Sequence, residues 1–173
     1  MAGRGTVLGY RIGARLVAFG TLLTGLAPGD RTRERLGLAE DLPLAMMQGA
    51  VVDPACRGRQ LHRRLLRRRL ALLQPPNRWH LYASAAPGNT ASWRNMLAEG
   101  YEVVLLSTMY GRLLRYTLYR PAVPRSGSPP EGRLIWCDPR DSEAQQALLT
   151  AGARGLAFRA RAGQPEIGYL EAS

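Results

Sequence analysis

Lysine is missing altogether: all 24 basic side chains of this 173-residue chain are arginine, against 13 acidic ones, for a net charge of +11. No Walker sequence occurs, nor a G-x-S-x-G elbow, so the motifs of a P-loop nucleotidase and of an α/β-hydrolase are both wanting. Cysteine is nearly absent. Cys56 and Cys137, far apart in sequence, form no disulfide framework, and no Cys/His spacing matches a zinc site. No metal is therefore expected. Apolar runs stay well short of the ~20 residues of a spanning helix. The N-terminus has no uninterrupted apolar segment before a small-residue cleavage site. A chain outside the membrane, in the cytoplasm, is the expectation.

What remains is an ordinary apolar fraction in a chain long enough for one domain with a real core, and a strong excess of arginine. That excess points to an anionic partner, whether nucleic acid, an acidic surface or a polyphosphate cofactor. A GC-rich genome favouring arginine codons, with a solvated basic surface, explains many of the same residues.

The most informative stretch is residues 50–74. Ala50-Val51-Val52 reads as the end of a strand, Asp53-Pro54 as its stop, and Arg57-Gly58-Arg59 as a turn. A Leu/Arg-rich helix then runs to Pro75-Pro76. At about 100° per residue, Leu61, Leu65, Leu66, Leu70, Leu72 and Leu73 cover one side and Arg63, Arg64, Arg67 and Arg68 the other. The first turn of such a helix leaves backbone N–H groups without intrahelical partners at the positive end of the dipole. A diphosphate fits there, with Arg57, Arg59 or Arg63 closing over it.

Val51-Val52-Asp53-Pro54-Ala55-Cys56-Arg57-Gly58-Arg59-Gln60-Leu61-His62 resembles motif A of the GNAT superfamily of acyl-CoA N-acyltransferases. That motif reads Gln or Arg, two residues, Gly, one residue, Gly or Ala. Arg57 matches the first position; Gln60 and His62 stand where the family prefers glycine, and glycine or alanine. Pro87-Gly88-Asn89-Thr90-Ala91-Ser92, with Gly100-Tyr101 beyond it, resembles the next motif, P-x-N-x-x-(A/S) followed by G-(F/Y). The two occur in family order and together span about half the chain.

The resemblance implies acetyl-CoA as acyl donor and an amine, on a small molecule or a protein, as acceptor. Its pyrophosphate would lie on the N–H groups of Gly58, Arg59, Gln60, Leu61 and His62, with Arg57 and Arg63 alongside. Val51 and Val52 would offer backbone groups to the pantetheine arm, and Asn89 and Ser92 would line the same arm or cap the following helix. The family's usual general acid is a tyrosine seven residues beyond the motif asparagine, and that position here is Met96. Tyr110 and Tyr116, with Tyr82 as a further candidate, are the replacements. Met46 and Gln48 occupy the strand where many relatives carry a carboxylate, and neither titrates; Glu40, Asp41 and His80 remain as candidate bases.

The rest of the chain reads as a mixed, mostly antiparallel α/β sheet flanked by helices. Strands are expected at Thr6–Ile12 and Arg15–Leu23, joined by a hairpin at Gly13-Ala14, with Val17, Phe19, Thr21 and Leu23 on the buried face. Residues 24–41 form a loop or a short helix. Further strands are expected at Leu44–Val52, Trp79–Ala85, Tyr101–Ser107 and Leu113–Arg120, and a helix runs from Asn89 or Thr90 to Glu99. Residues 1–120 would be the acyl-CoA-binding domain, 121–132 (PAVPRSGSPPEG) a linker, and 133–173 a small α/β appendage packed on it. GNAT domains usually open with a strand and two helices that floor the acceptor site. This chain starts at what resembles the family's first long hairpin, so either that front part is missing, or another subunit, as in a homodimer, or the tail takes its place.

Two other readings compete with an N-acetyltransferase. One is a relative that binds acetyl-CoA without turnover, which the missing tyrosine and carboxylates favour. The other is an arginine-rich nucleic-acid binder built on helix 59–69, though that helix lacks the interleaved aromatics that stack single-stranded bases.

Overall fold

The computed structural model of the chain describes residues 4–25, 29–109, 111–125, 127 and 131–172. It is a mixed α/β structure in two compact units, Met1–Ala83 with Pro121–Val123, and Ser84–Arg120 with Pro124–Ser173.

In the first unit, β1 (Arg4–Ile12) and β2 (Arg15–Thr24) form the expected antiparallel hairpin. A short helix α1 (Thr32–Arg35) follows, held by Arg33 donating to the carbonyls of Ala39 and Leu42. Strand β3 (Leu44–Val52) pairs antiparallel with β2, and β4 (His80–Ala85) pairs parallel with β3, giving the order β1-β2-β3-β4. Helix α2 (Leu61–Leu70) is the crossover between these two parallel strands and packs on β2 and β3.

The side of β2 that faces this helix is not the expected one. Ala18, Gly20 and Leu22 are buried with Val17, whereas Phe19 is 37% exposed. The reason lies in α2. Its inward stripe carries Leu65 and Leu66 but also Arg69, fully buried, whose guanidinium must pass over β2. It does so at Gly20, where a Cβ would lie 3.0 Å from the guanidinium carbon. The lack of a side chain at Gly20 leaves the room.

Arg69 is there because of a β-bulge. Gly20 pairs with Ala50 and Thr21 with Gln48, so Gly49 is the extra residue, at φ +45°. A bulge leaves ladder groups without strand partners. Arg69 donates through Nη1 to the carbonyls of Thr21 (2.8 Å) and Gln48 (3.3 Å), and through Nε to that of Leu65. Leu72, expected on the apolar side, is 49% exposed because the helix ends at Leu70 and a turn follows.

The second unit holds α3 (Thr90–Leu97), the hairpin of β5 (Glu102–Met109) and β6 (Leu113–Arg120), then β7 (Leu134–Cys137), α4 (Ser142–Thr150), β8 (Arg154–Arg161) and β9 (Gln164–Leu170). Its strands run in the order β6-β5-β8-β9-β7. β8 joins β5 at Val103↔Gly155 and pairs antiparallel with β9, as does β7. The segment read as a C-terminal appendage thus shares this unit with β5 and β6.

One polar group organises the interior of this unit. Gln145, buried on α4, accepts at Oε1 from the hydroxyls of Tyr116 (2.5 Å) and Tyr169 (2.9 Å). Its Nε2 donates to the carbonyls of Asp138, Pro139 and Asp141. A buried amide satisfied on both ends fixes the register of everything it touches.

Candidate functional site

Two features of the first unit create a surface for a ligand. Strands β3 and β4 pair only through Leu44↔His80, Ala45↔Leu81 and Met46↔Tyr82, although β3 continues to Val52 and β4 to Ala85. Beyond Met46, strand β3 therefore has no β4 partner among the described residues, and its backbone is open along that edge. Val51 is 53% exposed and Val52 half-buried.

The turn between β3 and α2 is the second feature. Asp53 ends the strand, accepting from the Ala55 N–H at 2.9 Å and pairing with Arg15. These bonds hold its carboxyl below the ordinary carboxylate range. Arg57, Gly58, Arg59 and Gln60 follow, all exposed. Gly58 has φ +78° and Gln60 φ +57°, both left-handed. Gly58 takes that conformation at no steric cost. Gln60 does not, and it is the position where the family motif has glycine. Gln60 therefore carries a side chain in a backbone conformation that strains it.

No side chain caps α2, and its first intrahelical bond is from Arg64 N–H to the Gln60 carbonyl. The N–H groups before it point out of the helix end. Leu61 and His62 are half-buried. Burial, with the nearby Arg69 charge, lowers the His62 pKa to about 4, so at neutral pH its imidazole is uncharged. Positive charge beside this turn comes from arginines and the helix dipole, not from histidine.

Asn89 and Ser92 belong to the second unit. Asn89 is the N-cap of α3, accepting from the Ser92 N–H at 3.2 Å. Met96, with Trp93 and Leu97, is buried on the inner stripe of that helix, as its spacing predicts.

The candidate acids fare differently. Tyr110 lies outside the described residues. Tyr116 is fully buried, and its hydroxyl is given to Gln145; burial raises its pKa. It has no solvent-facing surface, which argues against the donor role the sequence left open for it. Tyr116 lies in the stretch Tyr116-Thr117-Leu118 of β6, all three buried.

Tyr82 donates its hydroxyl to Asp30 at 3.0 Å and sits in the last β3–β4 register pair, where the strands part. His80, two residues earlier, is half-buried, and its pKa is lowered by desolvation and the Arg33 charge. Sequence reasoning missed Asp30 because it lies in the polar loop before α1, where nothing in the pattern links it to β4.

No sequence-family model matches the chain, and no curated protein sequence matches it. Solved structures do. The ribosomal-protein-S18-alanine N-acetyltransferase from Escherichia coli is 17% identical, with a TM-score of 0.52 over 72% of this chain and 73% of that one. Arabidopsis thaliana NAA60, solved with a bisubstrate analogue, is 14% identical, with a TM-score of 0.56 over 73% and 79%. YncA from Salmonella typhimurium, solved with acetyl-CoA, is 18% identical, with a TM-score of 0.51 over 70% and 66%. The chain has the GNAT fold. Within it, β3, the turn 57–60 and α2 follow one another as the strand, turn and helix that the residues alone implied. Among the described residues, no helix is long and apolar enough to cross a membrane.

Proposed function

We propose that the protein is an N-acetyltransferase that binds acetyl-CoA at the β3–α2 turn. The observation that carries this is the open edge of β3 leading into a left-handed turn and an uncapped helix N-terminus. A pyrophosphate is matched by backbone N–H groups of residues 58–62 at a positive helix end, with Arg57, Arg59 and Arg63 as counter-charges. An extended amide chain is matched by the β4-facing edge of β3 at Val51 and Val52, whose other edge pairs with β2. Acetyl-CoA supplies the activated acyl group; the chain's own residues bind the donor and orient the amine beside it. The solved neighbours include N-acetyltransferases and an acetyl-CoA complex, which supports the same reading. The acceptor is an amine of a small molecule or a protein.

Isothermal titration with acetyl-CoA tests donor binding. Gly58→Asp should weaken it at least about tenfold, a change worth about 1.4 kcal/mol, while Gly58→Asn, which tolerates the left-handed backbone without adding charge, should not. Equal affinity in all three proteins would place the phosphates elsewhere. Acceptor-dependent release of free thiol then tests transfer.

A second reading, acetyl-CoA binding without turnover, is favoured by one observation: Met96 has no proton to give, and the hydroxyl of Tyr116 is sealed against Gln145. If transfer occurs, Tyr82, held by Asp30, is the phenol we propose to protonate the leaving thiolate. Turnover of Tyr82→Phe equal to wild type would remove it from that role.

A further inference from the structure

The second unit contains a cavity of about 580 Å³ that no step of acyl transfer uses. Its walls come from the C-terminal half of α3, the start of β5, residues 125 and 127, and strands β7 and β8. None of these residues belongs to β3 or to the turn 57–63. The volume falls in the range that holds a small-molecule ligand.

The lining combines flat rings with guanidinium groups. The Arg159 guanidinium lies 4.1 Å over the Trp136 ring, and that of Arg94 lies 5.4 Å from the centre of the Phe158 ring. Gly168 on β9 makes room for Trp136: a Cβ there would meet the indole at 3.1 Å. Leu97, Leu134 and Leu156 supply apolar surface around the rings.

Charge decides what such a surface takes. Arg159 is paired with Glu166 at 2.5 Å, and Arg125 approaches Glu102 at 3.8 Å. Arg94, exposed on α3, has no carboxylate partner among the described residues. A ring already stacked under a cation can accept a second aromatic alongside it, and the remaining guanidinium offers a forked donor to an anion.

We propose that this cavity is a binding site for a small planar aromatic anion. The ring would lie against Trp136 and Phe158, and a carboxylate or phosphate on it would be held by Arg94. The same chemistry is offered by an aryl carboxylate and by a nucleoside monophosphate, and the probes below separate them.

The test is isothermal titration of 1-naphthoate and of AMP into the full chain, with 2-naphthalenemethanol as the uncharged control. One anionic probe should bind with sub-millimolar affinity, and the alcohol at least about tenfold more weakly. Whichever anion binds more tightly names the source. Arg94→Gln and Trp136→Leu should each weaken that probe by about tenfold or more, with circular dichroism confirming the fold. Glu102→Gln removes the one carboxylate in the lining and should tighten binding about threefold. Saturating acetyl-CoA should leave the probe bound. Failure of both anions to bind at about 2 mM overturns the proposal. So does undiminished binding in Arg94→Gln and Trp136→Leu, weaker binding in Glu102→Gln, or displacement by acetyl-CoA.

Discussion

Gln60 is the residue at which sequence and backbone disagree most openly. A non-glycine residue held in the left-handed region costs about 1–2 kcal/mol, and replacing it by glycine adds about 0.5–1 kcal/mol of unfolded-state entropy. Gln60→Gly should therefore leave the protein equally stable or up to about 1.5 kcal/mol more stable, and Gln60→Val should destabilise it. Urea midpoints of the three proteins decide the matter; a clear loss on Gln60→Gly would mean that its side chain contributes more than its backbone costs.

His62 makes a prediction about pH. Its pKa is depressed in the folded state to about 4, from an ordinary 6.5. Between those values the unfolded chain binds a proton that the folded one refuses. Stability contributed by the neutral, buried imidazole is thus intact above pH 6.5 and declines as pH falls toward 4. Carboxylates such as Asp53, also depressed, begin to lose their contribution only as pH falls through the ordinary carboxylate value of 3.8. Urea midpoints at pH 7.5 and pH 5 should differ in wild type and differ less in His62→Gln. An unchanged difference would assign the acid sensitivity to other groups.

Among the elements, the pairing of α2 with the β2–β3 bulge depends on Arg69. A hydrogen bond from a charged donor is worth about 1.5–3 kcal/mol, and loss of the donor leaves buried carbonyls unsatisfied. Arg69→Ala should cost about 3 kcal/mol or more, because it empties core volume and strands the Thr21 and Gln48 carbonyls together. Gly20→Ala, which places a Cβ against the guanidinium, should cost about 1–3 kcal/mol. Thermal and urea unfolding measure both; a change under 1 kcal/mol for Arg69→Ala would show that water replaces the guanidinium on those carbonyls.

In the second unit, Tyr116→Phe deletes one of two hydroxyls on Gln145 Oε1. The expected loss is about 0.5–1.5 kcal/mol of stability, with unchanged turnover per folded molecule once an acceptor is known. A fall in turnover larger than the fall in folded fraction would return Tyr116 to the chemistry.

For the molecule as a whole, ligand binding should be visible as stability. Acetyl-CoA at a hundred times its Kd should add about 2.7 kcal/mol to unfolding, and Gly58→Asp should cut that gain to about 1.4 kcal/mol or less at the same concentration. An undiminished thermal shift in Gly58→Asp would show that the donor is held elsewhere. The +11 net charge makes such tests sensitive to salt, because exposed arginines attract any polyphosphate over the Debye length.

Much of this was legible in the residues. Alternation and turn residues marked β3 and β6 to their ends, Asn89 announced the start of α3 by its capping chemistry, and Arg57-Gly58-Arg59 marked the turn before α2. These signals are local: period, cap and turn act over a few residues, so they survive in the linear sequence. What tertiary structure alone decided involves partners distant along the chain. Arg69 is buried because a bulge 20 residues away needs a donor, Phe19 faces outward because that donor occupies the other side of β2, and Tyr116 is sealed because Gln145 accepts its hydroxyl. An arginine on an arginine-rich helix and a tyrosine on a strand look alike in sequence whether solvated or sealed. Burial is set by which groups the fold brings opposite them.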